Sequence, residues 1–162
     1  MKNWIRILLV TLTLLSLFFI FSNSLKPSGK VESTKRAVVE AVENTVKAVT
    51  GKDFSLDGLS GAFVAKIGHV LEFGAFGLFF SLSLLSFRGL LDSDSFFRIS
   101  AVCTFVALTD EHLQTLTPGR TSSVTDVLVD LAACITAFAI AYGIGLIRNR
   151  KGGRDEGNTS HS

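Results

Sequence analysis

Charge is the scarcest resource in this chain: only 19% of its 162 residues are Asp, Glu, Lys or Arg, and the formal net charge is +2. So little charge excludes a chain that is disordered as a whole or a nucleic-acid-binding module, both of which need more charge and less apolar surface. Two prolines, with 14 glycines and no internal repeat, exclude collagen-like and proline-rich arrays. Two cysteines are too few for a disulfide scaffold or a four-thiolate zinc site. No G-x-S-x-G elbow, P-loop or dinucleotide fingerprint occurs. What is abundant is apolar: 48% hydrophobic residues, gathered into long runs. The composition is that of a small integral membrane protein of one domain.

A spanning helix needs about 20 mostly apolar residues. Four segments meet the length: residues 4–21, 65–87, 96–117 and 124–147. The expected fold is therefore all-α, an integral membrane four-helix bundle occupying residues 1–147, with a polar, disordered tail over 148–162. Lys2 and Arg6 before the first run also fit a secretory signal peptide. Its length and its bulky end at Phe18, Phe19, Ile20 and Phe21 favour a retained anchor. In the first loop, residues 32–50 have the pattern of an amphipathic helix. Val38, Val42, Val46 and Val49 make its stripe, Glu32–Arg36 and Glu43–Lys47 are i,i+4 ion pairs, and Gly51 follows as a cap. Such a helix suits a membrane surface, a lid, or a solvated face resting on lipid.

Four spans put both termini on one side, and the Lys/Arg counts of the two sides are nearly balanced, because Lys26, Lys30, Lys35, Arg36, Lys47, Lys52 and Lys66 oppose the basic residues at the other end. Dominance of the first helix and the basic cluster at 148–151 favour cytoplasmic termini. That topology gathers the polar residues of the spans into one leaflet, the outer one. Lys66, His69 and Glu72 share a side of the second span. Asp110, Glu111 and Gln114 end the third, Pro118-Gly119 stops it, and Arg120 follows in a short connection. Asp126 and Asp130 open the fourth. Left unpaired, several carboxylates there would cost on the order of 5–10 kcal/mol. They must be paired, protonated, hydrated or bound to something. Some have structural roles to weigh. Asp126 has the spacing to close a capping box with Ser123, Lys66 can snorkel, and Asp110 and Glu111 can form a clasp with Arg120. Asp130 lies a full turn too deep to cap. One His with several carboxylates suits a divalent metal, but no H-E-x-x-H, paired-His or Cys-rich spacing names one, and the sequence requires no cofactor. Cys103 and Cys134 fall mid-span, where packing is expected. Ala133, Ala137 and Ala141 form a small-residue ridge, and Gly74 and Gly77 thin the second span, which favours close helix approach.

The run Ala107-Leu-Thr-Asp110-Glu111-His-Leu-Gln114-Thr-Leu-Thr-Pro118-Gly119-Arg120, followed by Asp126 and Asp130, resembles the VanZ-like family. Lys66-Ile-Gly-His69-Val-Leu-Glu72-Phe73 is similar to its second signature, and Phe21-Ser22-Asn-Ser24, with Ser28 and Ser33 beyond, to its serine-rich stretch. The likeness runs from about residue 15 to 147. It implies a small helical bacterial membrane protein, in a family named for an accessory protein of low-level teicoplanin resistance whose biochemical activity is not established. Carried over residue by residue, it marks Lys66, His69, Glu72, Asp110, Glu111, Gln114, Pro118, Gly119, Arg120, Asp126 and Asp130. Phe73 stands where the family often has Tyr, and Ala132-Ala133 where Gly is common.

Three functions are open on this reading. The first is an outer-leaflet pocket that binds or acts on an envelope component, such as a lipid-linked precursor or a lipoglycopeptide. If it is an enzyme, Glu72, Asp110 or Glu111 are candidate bases, with His69 as partner and Arg120 holding an anionic group. The second is an interaction protein whose charged cluster is an internal clasp. The third, a proton-coupled exporter, is weakened by a first span without a carboxylate. The lipid bilayer is the expected partner in each, and nucleic acid in none.

Overall fold

A computed structural model describes residues 2–52 and 61–159, with side chains for all of these except 35, 61, 62 and 150–159. The described residues form five helices and no strand: α1 (Asn3–Ser24), α2 (Ser28–Thr50), α3 (Gly61–Arg88), α4 (Ser93–Thr115) and α5 (Val124–Thr159). Three are long and apolar enough to cross a bilayer: α1, α3 over Phe63–Arg88, and α5 over Val124–Asn149. At 23 residues α4 is also long enough, about 34 Å at 1.5 Å per residue. Its hydropathy is lowered by polar residues on its inward face. Ser95, Ile99, Cys103, Val106, Ala107, Asp110, Glu111 and Gln114 are its buried residues, a single stripe at helical spacing. Phe97, Phe105 and Leu108 are exposed on the outside. The pattern is inverted, with polar atoms kept against protein and large apolar side chains on the outside, as a helix at membrane depth would require.

The core mixes aromatic, β-branched and small side chains. Ile20, Phe73, Phe76, Ile99, Cys103, Val106, Ala107, Ala133 and Cys134 form its main cluster. The closest approach is between α3 and α5. A Cβ on Gly77 would lie 2.8 Å from Cys134 Cα and 3.3 Å from Ala137 Cβ. Ala133, Ala137 and Ala141 are buried, so the small-residue ridge is the α5 side of this contact. Gly74 plays no such part, because a Cβ there meets nothing within 4 Å.

The amphipathic helix begins at Ser28, four residues earlier than its pattern suggests, because Pro27 both breaks α1 and starts α2. Glu32 and Arg36 pair at 3.7 Å, and Gly51 ends the helix at φ 67° in the left-handed region. Val38, Val42 and Val49 are exposed. The tail differs from expectation: α5 continues as helix past the apolar run to Thr159. Residues 160–162 of the expected tail lie outside the described residues.

Candidate functional site

One end of the bundle is ordinary. Arg6 Nε donates to the Ser86 carbonyl at 3.1 Å and Arg148 Nη2 to the Gly89 carbonyl at 2.9 Å. Arg88 and Arg98 pair with Asp94 at 3.3 and 2.8 Å. A hollow of about 440 Å³ lined by Asn3, Arg6, Ile7, Val10, Thr11 and Phe87 also lies at this end. The acidic residues of the spans collect at the other.

There, α1 ends, α4 ends, and α3 and α5 begin. The α4–α5 connection is set by Pro118, which has no N–H to donate, and by Gly119 at φ 74°. A Cβ on Gly119 would collide with Ser28 Oγ, so the start of α2 sits against this turn. The Ser28 N–H donates to the Pro118 carbonyl at 3.4 Å. Thr117 Oγ1 donates to the Ser24 carbonyl at 2.9 Å, and Arg120 Nη1 donates to the Asn23 carbonyl at 2.9 Å. These bonds hold the end of α1 beside the acidic turns of α4.

Inside this frame the side chains interlock. Ser24 Oγ, which also lies 3.1 Å from the Ile20 carbonyl, donates to the Asp110 carboxylate. Gln114 Nε2 donates to Asp110 at 2.8 Å and reaches Glu111 at 3.2 Å. Glu111 Oε2 accepts the Ser123 backbone N–H at 2.6 Å. That N–H opens α5, so Glu111 caps the helix and meets the positive end of its dipole. Glu72 accepts from Asn23 Nδ2 at 2.7 Å. His69 Nδ1 lies 3.1 Å from Asp130 Oδ1, and its ring stacks on Phe73 at 6.3 Å. Lys66 Nζ stands 3.9 Å from Asp126 Oδ1.

Two expectations are corrected by this geometry. Arg120 makes no clasp with Asp110 or Glu111; its guanidinium is committed to the α1 backbone. Nor does Asp126 cap α5 through Ser123, since the backbone N–H that a capping box would use is taken by Glu111. Asp126 turns toward Lys66 instead. The cluster is also closed rather than open. Asp110, Glu111, Gln114 and Asp130 are 0–3% exposed. Its accessible lip is formed by Lys66, His69 and Asp126, which are partly exposed.

Three residues here were not among the candidate site residues: Asn23 and Ser24, which lie in the serine-rich stretch, and Thr117. The signal was present. The topology that gathered the polar residues of the other spans also puts the end of the first span in that leaflet, and Asn23 and Ser24 follow its apolar run directly. Ser33, from the same serine-rich stretch, bonds only to the Lys30 carbonyl of its own helix and is exposed.

Two triads here have metal-ligand composition: His69 with Asp110 and Asp130, and His69 with Glu111 and Asp126. In each, one donor atom per residue lies within 4.8 Å of the others. Two buried carboxylate oxygens, Asp126 Oδ1 and Asp130 Oδ2, have no hydrogen-bond partner among the described residues.

Apolar helices around a buried acidic cluster define a polytopic helical membrane protein with a polar site at one end of the bundle. The chain belongs to the VanZ/LLP1 family, whose model matches residues 5–148. Among curated proteins and solved structures, nothing matches it.

Proposed function

We propose that this end of the bundle is a binding site for the polar head of a lipid-anchored component of the bacterial cell envelope. A contribution to glycopeptide resistance of the teicoplanin type follows from that reading. The single observation that carries it is the lip. Lys66, His69 and Asp126 give limited access to a carboxylate-rich interior, while Ile67, Val70, Val124 and Leu128 beside them are exposed and apolar. A ligand with an acyl chain would lie along those residues and present its head group to the lip. An ammonium group on that head would meet an excess of carboxylate. The proposed orientation has cytoplasmic termini, which puts the site in the outer leaflet. Arg6, Arg88, Arg98 and Arg148 at the opposite end support it.

The competing reading is an internal clasp that only orients helices. The Glu111–Ser123 and Asn23–Glu72 bonds favour it. Asp110→Asn and Glu111→Gln separate the two in cells lacking the native copy. Membrane abundance and melting temperature are read beside teicoplanin susceptibility. The site reading expects Asp110→Asn to remain abundant and at least as stable while susceptibility rises. If abundance, melting temperature and resistance fall together in both variants, the clasp is correct. Unchanged susceptibility in folded variants removes the glycopeptide connection.

A further inference from the structure

Three carboxylates at the buried end of the bundle are engaged by groups that lie apart from His69, Asp110 and Asp130. Glu111 faces the N-terminus of α5, Asp126 faces Lys66, and Glu72 is held by the Asn23 amide. Among the described residues, Asp110 has no Lys or Arg within ion-pair distance, and Asp130 has only the His69 imidazole. Arg120 is turned to the α1 backbone, and the partners of Asp110 are the neutral Ser24 and Gln114. Asp130 is 0% exposed; one oxygen faces His69 and the other, Oδ2, is buried without any partner. Carboxylates buried together at membrane depth, one of them with an oxygen that nothing satisfies, are what a bound cation stabilises.

We propose that His69, Asp110 and Asp130 bind one divalent transition-metal ion. Their donor atoms already lie within 4.8 Å of one another. An ion bonded at about 2.1 Å separates its donors by at most about 4.2 Å, so small side-chain rotations close the triad. An imidazole nitrogen with two carboxylate oxygens selects zinc, manganese or ferrous iron over calcium and magnesium, which prefer all-oxygen sets. Glu111 is less suited as a ligand because Oε2 accepts a backbone N–H that cannot turn away, whereas Asp110 accepts only from the side chains of Ser24 and Gln114, which can. Phe73, stacked on the imidazole and wholly buried, fixes the ring plane. The cradle is neutral once filled: two carboxylates, one neutral imidazole and one M²⁺. Entry of the ion replaces the His69–Asp130 hydrogen bond: a protonated His69 releases one proton, and a neutral one keeps its hydrogen on the ring nitrogen that does not bind the ion. Three protein ligands leave a coordination position open, on the side of the lip, for water or an oxygen of a bound head group. The ion deepens the proposed binding site without depending on it, because a cluster that took no metal would still be able to hold an ammonium group.

The test uses the full chain in lipid nanodiscs, purified with a histidine-free tag and stripped of metal. Equilibrium dialysis against Zn²⁺ or Mn²⁺ is read by elemental analysis, and Mn²⁺ also by electron paramagnetic resonance. One saturable equivalent per chain is expected, with nitrogen coupling from a single imidazole and a rise in melting temperature on loading. Asp130→Asn and His69→Gln should each weaken binding at least about tenfold and abolish the thermal shift. Asp94→Asn, at the opposite end, should change neither. Absence of saturable binding to the wild type at 100-fold molar excess overturns the proposal, as does full binding in both variants. If a variant does not fold, the stoichiometry and nitrogen coupling of the wild type decide. Susceptibility to teicoplanin is scored separately, so loss of the metal reading and loss of the ligand reading give different results.

Discussion

At the scale of single residues, the buried acidic cluster shows how a polar side chain survives inside a greasy bundle. Asp110 is 2% exposed, and Ser24, itself 2% exposed, reaches it across 86 residues of sequence. Ser24→Ala removes a donor from a buried carboxylate and leaves Gln114 as its remaining hydrogen-bond partner. The expected loss is about 1–3 kcal/mol of stability, measured by denaturant unfolding in micelles. Ser33→Ala is the matched control. That hydroxyl is exposed and bonds within its own helix, so its removal should cost less than about 0.5 kcal/mol. Equal losses from the two substitutions would show that the Ser24–Asp110 bond contributes nothing particular to the bundle.

Elements bring different constraints, because helices must end and must approach one another. α4 starts at Asp92, whose carboxylate accepts the Ser95 N–H at 2.8 Å and the Ser95 hydroxyl at 2.6 Å. Those bonds from Ser95 hold the Asp92 carboxyl below its ordinary range, aided by Arg88. A depressed folded pKa adds stability above the unfolded pKa, roughly 4, and loses it as pH falls through the folded value. Asp92→Ala should therefore melt below the wild type at neutral pH, and the gap should narrow as pH is lowered from about 4. A gap that stays constant through that range would assign the effect to something other than the ionised cap. Helix approach gives a second contrast, between two glycines three residues apart. Gly77→Ala forces a methyl to within 2.8 Å of Cys134 Cα and should cost about 1–3 kcal/mol. Gly74→Ala enters open space and should be neutral or stabilising by up to about 1 kcal/mol. The sequence placed both glycines on a thinned helix, but only neighbouring backbone positions decide which one is at the contact.

For the whole molecule, the helical class and the gathering of polar residues at one end were legible, because apolar run lengths and turn signals fix how often the chain reverses. Partner choice within that end was not. Arg120 stands close in sequence to Asp110 and Glu111, yet it pairs with the backbone of α1. Glu111 caps a helix other than its own. Such pairings depend on how helices rotate about their axes, which a one-dimensional pattern does not contain. The end of the bundle is fixed by the chain reversals, but its side of the membrane is not. The structure makes that side measurable with little background. Cys103 and Cys134 are both 0% exposed, so native thiols should be silent to a membrane-impermeant maleimide. Ser122 is exposed at the acidic end and Ser93 at the arginine-flanked end. With cytoplasmic termini, Ser122→Cys should label in intact cells, whereas Ser93→Cys should label only after the membrane is opened. The reverse pattern would put the carboxylate cluster in the inner leaflet. An envelope component reaching it would then have to be one presented from the cytoplasmic face, before export.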